Sequence, residues 1–202
     1  ITLNFEHILK EGLGEHINVK PIIAIPTTAG TGSEVTMWGT IWDDVNKKKY
    51  SIASPKLYCE AAILDPNLLT TLPYEMTVQT GLDALSHSLE ALWNKNENSV
   101  SDLYAINAIQ TIVQTLPLLA KNLADVTLRE QMLLASYRAG VAFSNTQTAL
   151  AHAMSYYMTL HRGIPHGIAA SFTLPTIIEV AMDNDQIAAK LRMALGENPQ
   201  KM

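Results

Sequence analysis

YEMTVQTGLDALSHSLEALW, residues Tyr74–Trp93, decides how the chain is read. Its apolar residues recur at i, i+3, i+4 and i+7, the spacing of one face of an α-helix, and no residue before Pro73 shows that period. The same stretch sets Asp83 four residues ahead of His87, so the two stand one above the other on one helix face. A carboxylate and an imidazole placed in this way are either an ion pair or half of a metal site.

Working outward, the helical period continues downstream in Ser101–Leu123, Leu128–Ser144 and Thr148–Leu160. NKNENS (Asn94–Ser99) reads as a polar loop with Ser101 as the cap of the next helix, and HRGIPHG (His161–Gly167) as a Gly/Pro-punctuated loop before a helix starting near His166. Upstream, PIIAIP (Pro21–Pro26) and AAILDP (Ala61–Pro66) are short apolar runs stopped by proline, the pattern of buried strands. Between them Val35–Asp43 and Lys48–Ser54 alternate and are rich in β-branched and aromatic residues. The expected organisation is strand-rich over residues 1–72 and an all-α bundle over 73–202.

Bulk composition narrows the function classes. A chain of 202 residues with 48% hydrophobic residues can bury a substantial core. Its charged fraction of 16% is below the roughly 25% usual for soluble domains, which points to extensive burial or to surfaces covered by further chain. A net charge of −5 argues against nucleic acid, whose binders need clustered Lys and Arg. Cys59 is the single cysteine, so no internal disulfide forms, and no apolar run reaches the roughly 18 residues of a membrane span. A cytoplasmic location with no membrane partner is expected. The chain opens at Ile1 without a signal-like segment, and its start reads as a cut.

Two further histidines bear on the pair in the opening stretch. His152 sits in the apolar helix ALAHAMSYY, and His166 follows Pro165 at a helix start fourteen residues later. A single His on an apolar helix is more often a hydrogen-bonded core residue than a ligand. Taken together, Asp83, His87, His152 and His166 supply three imidazoles and a carboxylate, a set suited to Zn²⁺ or Fe²⁺. A second candidate is PTTAGTGSE (Pro26–Glu34), where a strand leads into a Gly-rich turn with several hydroxyls. Such a loop cradles a phosphate or a nicotinamide, or else Gly30 and Gly32 serve only a tight turn. Met132, Met154, Met158, Tyr156 and Tyr157 read as core, NKKKY (Asn46–Tyr50) as a solvated hairpin from which one lysine could reach a phosphate, and Cys59 as structural.

Four motifs in order, IPTTAGTGSEVT, ILDPNLL…LP, TGLDALSHSLEAL and HAM followed after eleven residues by HG, resemble the iron-containing (group III) alcohol dehydrogenase family over nearly the whole chain. The resemblance implies a dehydroquinate synthase-like fold, truncated here at both ends, in which residues 1–72 are part of an α/β dinucleotide-binding domain and 73–202 an incomplete helical metal-binding domain. It implies that Asp83, His87, His152 and His166 hold a catalytic Fe²⁺ or Zn²⁺. Thr27, Thr28, Thr31 and Ser33 would line NAD(H) or NADP(H), with Lys49 near its phosphates or ribose. The implied reaction is hydride transfer between nicotinamide and a small aldehyde or alcohol, by a form that is a homo-oligomer at full length and a chain inactive by itself.

One position departs from the family pattern: Tyr156 stands one helical turn after His152, where many members carry a histidine. Tyr156 is expected to face the metal's open side and to orient the substrate oxygen or an anionic group, helped by Arg162. HSLEALWNKNENSVSDLYA and AHAMSYYMTLHRGIPHG look most like the branch that reduces phosphonoacetaldehyde. Glycerol dehydrogenase-like or dehydroquinate synthase-like siblings, and an inactive fragment with a structural metal, are the alternatives.

Overall fold

The computed structural model describes Ile8 and residues 18–199, so the ends of the two expected segments, at 1–7, 9–17 and 200–202, lie outside the described residues. Strand β1 (Ile23–Ala24) pairs in parallel with β4 (Ala61–Ala62), while β2 (Trp38–Asp43) and β3 (Lys48–Ala53) form an antiparallel hairpin. Asp43 shapes the hairpin turn by accepting from the Asn46 backbone N–H at 2.9 Å and from its side-chain amide at 2.8 Å. Since strand side chains alternate, the register Trp38↔Ala53, Thr40↔Ser51 and Trp42↔Lys49 puts these six residues on one face.

Helices occupy the rest: α1 (Tyr74–Leu92), α2 (Ser99–Leu119), α3 (Val126–Thr146), α4 (Leu150–Arg162), α5 (His166–Ser171), α6 (Leu174–Ala181) and α7 (Asp185–Leu195). The change of period at Pro73 is therefore where the unbroken run of α-helices begins. Asn98, not Ser101, caps α2: its carboxamide oxygen accepts from the Val100 and Ser101 N–H groups at 3.0 Å, and Ser101 Oγ accepts from Asn98 N–H at 2.9 Å. Ser101 is thus the third residue of the helix, in a reciprocal capping box.

The second half of α1 is the axis of the core. Every residue from Asp83 to Leu92 is buried, because α2, α3, α4 and α5 all pack against this helix. Ser86 and Ser88 tolerate that position by donating their hydroxyls to the Leu82 and Ala84 carbonyls at 2.8 Å. Leu89, Leu92, Ile109, Ile112, Leu119, Met132 and Leu133 fill the space between the helices. Arg129, 1% exposed, ties α3 to the start of α1 by donating to the Leu123 and Leu72 carbonyls and to Thr77 Oγ1 at 2.8–2.9 Å. No helix among the described residues is long and apolar enough to cross a membrane.

The structure corrects two readings of burial. Ile23, Ile25 and Ile63 are 63%, 50% and 52% exposed, because no second layer among the described residues covers the β1–β4 pair. Met154 and Tyr157 are 47% and 59% exposed, since α4 packs through the face carrying Ala151, His152, Ser155 and Leu160. Of the methionines read as core, Met132 lies in the main cluster.

Candidate metal centre

Two close backbone approaches bring the site together. Gly167, the second residue of α5, lies beside Gln79 of α1; a Cβ at 167 would overlap the Gln79 carbonyl oxygen, so glycine is what lets His166 reach Asp83. At the other end of the molecule's α/β portion, Gly32 adopts φ 56° and a Cβ there would stand 2.5 Å from the Gly140 Cα. The Gly-rich loop therefore has a packing reason for its glycine, and it carries Thr31 and Ser33 against α3.

Donor atoms of Asp83, His152 and His166 converge within 4.8 Å of one another. Asp83 Oδ1 lies 3.5 Å from His152 Nε2 and 3.7 Å from His166 Nε2. The fourth expected ligand, His87, sits beside this group and not in it: its ring stacks between Phe143 and His152, with centroids at 4.2 and 4.4 Å. Asp83 Oδ1, His152 Nε2 and His87 Nδ1 are buried without a hydrogen-bond partner. Buried polar atoms are rarely left in that state.

The supporting contacts explain which ring nitrogen is free. His152 Nδ1 lies 2.6 Å from Glu90 Oε2, which fixes that nitrogen as the donor and turns the Nε2 lone pair toward Asp83. Ser155 donates its hydroxyl to the His152 carbonyl at 2.7 Å, so at 3.4 Å it can only accept from His166 Nδ1, and His166 Nε2 also presents a lone pair. Lone pairs from an anion and two imidazoles thus meet at one point. A cation fits that point, and two buried carboxylates facing neutral imidazoles balance the charge of a divalent ion.

Glu90 is the residue that the sequence reading missed. It is fully buried, seven residues beyond Asp83 and hence on the same face of α1, which is the signal that could have found it. α4 has no side-chain cap of its own, and Glu90 supplies one from α1 by accepting from the N–H groups of Ala149 at 2.9 Å and Ala151 at 2.6 Å. One carboxylate thus caps the helix and orients the His152 imidazole.

The electrostatics agree with a site that wants positive charge. Burial pushes Asp83 up, yet the surrounding imidazoles His87, His152 and His166 hold it well below the usual carboxylate range. Burial opposes a charge on His152, but Asp83 and Glu90 outweigh it and raise its pKa to about 9. Burial wins at His87, lowered to about 4, and also pulls His166 down. Without an ion, a proton on His152 does a cation's work.

Above the three donors opens a cavity of about 580 Å³. Thr31, Ser33, Lys49 and Tyr156 line it, as do all four expected metal ligands; Thr27 and Thr28 do not. Lys49 Nζ sits 3.8 Å over the Tyr156 ring, placed there by its register opposite Trp42. Arg162 is exposed and off the cavity, six residues and well over a turn past Tyr156; the cation beside Tyr156 is Lys49.

The family described as Fe-containing alcohol dehydrogenase, C-terminal, matches residues 77–201, and that described as iron-containing alcohol dehydrogenase matches residues 3–66. The chain is 44% identical over 159 residues to the probable alcohol dehydrogenase EutG of Escherichia coli (strain K12), covering 79% of this chain and 40% of that protein. It is 38% identical over 181 residues to the NAD-dependent methanol dehydrogenase of Bacillus methanolicus, covering 89% of this chain and 48% of that one. The crystal structure of sulfoacetaldehyde reductase from Bifidobacterium kashiwanohense in complex with NAD+ superposes with a TM-score of 0.78 at 33% identity, over 86% of this chain and 52% of that chain. The chain spans about half the length, or somewhat less, of the relatives it matches. With family matches extending over both its strand-bearing and its helical residues, the chain belongs to the iron-containing alcohol dehydrogenase family.

Proposed function

We propose that this chain forms the metal-binding and nicotinamide-facing part of a divalent-metal-dependent, NAD(P)-linked alcohol dehydrogenase or aldehyde reductase. The observation that carries the reading is the unpaired convergence of Asp83 Oδ1 and His152 Nε2, joined by His166 Nε2, at the floor of a cavity large enough for a nicotinamide and a small substrate. Asp83, His152 and His166 hold the ion, with His87 as the further ligand. When bound, the ion and the nicotinamide supply Lewis-acid polarisation of a carbonyl oxygen and a hydride.

The chain's own part is to bind and orient. Glu90 and Ser155 keep the ring protons of His152 and His166 on Nδ1, so that both Nε2 atoms face Asp83. Residues 73–202 carry these groups, while residues 1–72 bring the Thr31 and Ser33 hydroxyls to the cofactor, with Lys49 toward its ribose or phosphates. Trp42, packed edge-on against His166 at 5.4 Å, shields that side of the cavity from water.

The natural full-length gene product, assayed with NADH and NADPH against a panel of aldehydes that includes phosphonoacetaldehyde, tests the proposal. Oxidation of the reduced nicotinamide that stops on chelation and returns with Fe²⁺ or Zn²⁺ is expected. Turnover indifferent to chelation would defeat it.

Tyr156 is assigned to the substrate: its hydroxyl orients the reacting oxygen or an anionic group from the cavity wall. Tyr156→Phe removes only that hydroxyl, so kcat/KM is expected to fall by about 1 kcal/mol or more in free-energy terms. Equal kinetics on every aldehyde would leave the ring as a wall and nothing more.

A further inference from the structure

Gln147, the C-cap just beyond α3, has φ 75° and ψ 174°. Among the described residues it shares a positive φ with only one other non-glycine, Lys47, whose φ of 52° falls in an exposed hairpin turn. The combination at Gln147 is different in kind, lying in backbone space that is essentially reserved for glycine. A residue with a side chain persists there only if its surroundings impose the conformation.

They do so from both sides. Asn94 Nδ2 donates to the Gln147 and Thr148 carbonyls at 3.2 and 3.3 Å, and Asn96 Nδ2 to the Thr146 carbonyl at 3.2 Å. Thr146 Oγ1 donates to the Gln147 carbonyl at 3.0 Å, and two residues on Glu90 holds the Ala149 N–H. The backbone shape of this junction, which sets where α4 and His152 begin, is thus secured by other residues. Glycine would adopt it without strain.

The Gln147 side chain is not needed for packing either. Gln147 is exposed and lines the cavity together with Asp83, His152 and Tyr156, and its carboxamide makes no hydrogen bond among the described residues. A strained backbone at a residue of the cavity wall whose amide is unengaged points to a ligand rather than to the fold.

Resting on the proposed aldehyde reduction, we infer that Gln147 is a specificity-determining residue whose amide donates to a hydrogen-bond-accepting oxygen on the substrate, beyond the reacting carbonyl. An amide that must be desolvated on closing the site favours substrates that satisfy it and disfavours those of the same shape that do not. The oxygen belongs either to a hydroxyl or to an acid group, and the two are separable by experiment.

In the full-length gene product, Gln147→Gly is compared with the parent on glycolaldehyde, on propanal of nearly the same shape, and on phosphonoacetaldehyde. The variant is expected to lose tenfold or more in kcat/KM on the oxygen-bearing aldehydes and to stay within twofold on propanal. A loss on phosphonoacetaldehyde alone assigns the oxygen to an acid, a loss on glycolaldehyde alone assigns it to a hydroxyl, and a loss on both means that the amide serves either group. The thermal midpoint is expected to hold or rise, since glycine relieves the backbone. An unchanged ratio between oxygen-bearing and plain aldehydes overturns the inference, as does an equal fall on all three accompanied by weaker NADH binding, which would place the contact on the cofactor. A parent without aldehyde turnover removes the reading beneath it, and the inference with it.

Discussion

Protein prepared without chelator is expected to carry stoichiometric divalent metal, and His152→Ala or His166→Ala to lose it. Each substitution deletes one of the three donors that meet within 4.8 Å, leaving Asp83 with a single imidazole partner at the point of convergence. The loss in affinity should exceed the roughly ten- to hundredfold typical of removing a supporting residue. Elemental analysis beside a titration with Zn²⁺ checks this without reference to turnover. Metal retained at full stoichiometry in both variants would mean that these are not the ligands.

Glu90→Ala should be the most damaging substitution for the metal-free fold. In that state His152 is protonated below about pH 9 and is paired with Glu90 at 2.6 Å, both side chains being almost wholly buried. Truncating the carboxylate leaves a buried imidazolium short of a partner and strips the first N–H groups of α4 of their acceptor. Breaking a buried pair in this way costs about 3–5 kcal/mol. Glu90→Gln, which keeps an acceptor oxygen of the same reach, should cost less, although its NH₂ must face a donor. Urea unfolding of both variants gives the stability, and metal titration should show a ten- to hundredfold weaker site. An Ala variant within about 1 kcal/mol of the parent would show that the cap and the pair carry little.

Much of the site was legible in the residue order because its first half is local. Helical geometry alone puts Asp83 and His87 on one face, and the change of period at Pro73 marks where α1 begins. The Gly163 C-cap of α4, with φ 66°, and Pro165 beyond it bring His166 to the start of α5, as HRGIPHG suggested. The hairpin turn at Asn46 and Lys47 was equally local, since Asp43 closes it through contacts three residues away.

What those patterns left open were meetings between distant faces. Glu90 carries no local mark of its partners, which stand 59 to 62 positions later. Arg162 seemed poised beside Tyr156 until the helix turned it outward, and Lys49 took that place through strand register. Gln147 carried no sign of its backbone conformation, which Asn94 and Asn96 impose through contacts 53 and 50 positions apart in sequence. From the sequence alone came the periods, the chain reversals and the kinds of donor atom available, because these follow from bond geometry and side-chain chemistry within a few residues. Only the tertiary structure decided which lone pairs converge, which carboxylate is buried behind them and which residues line the cavity, because those depend on how whole helices pack once their apolar faces have left water.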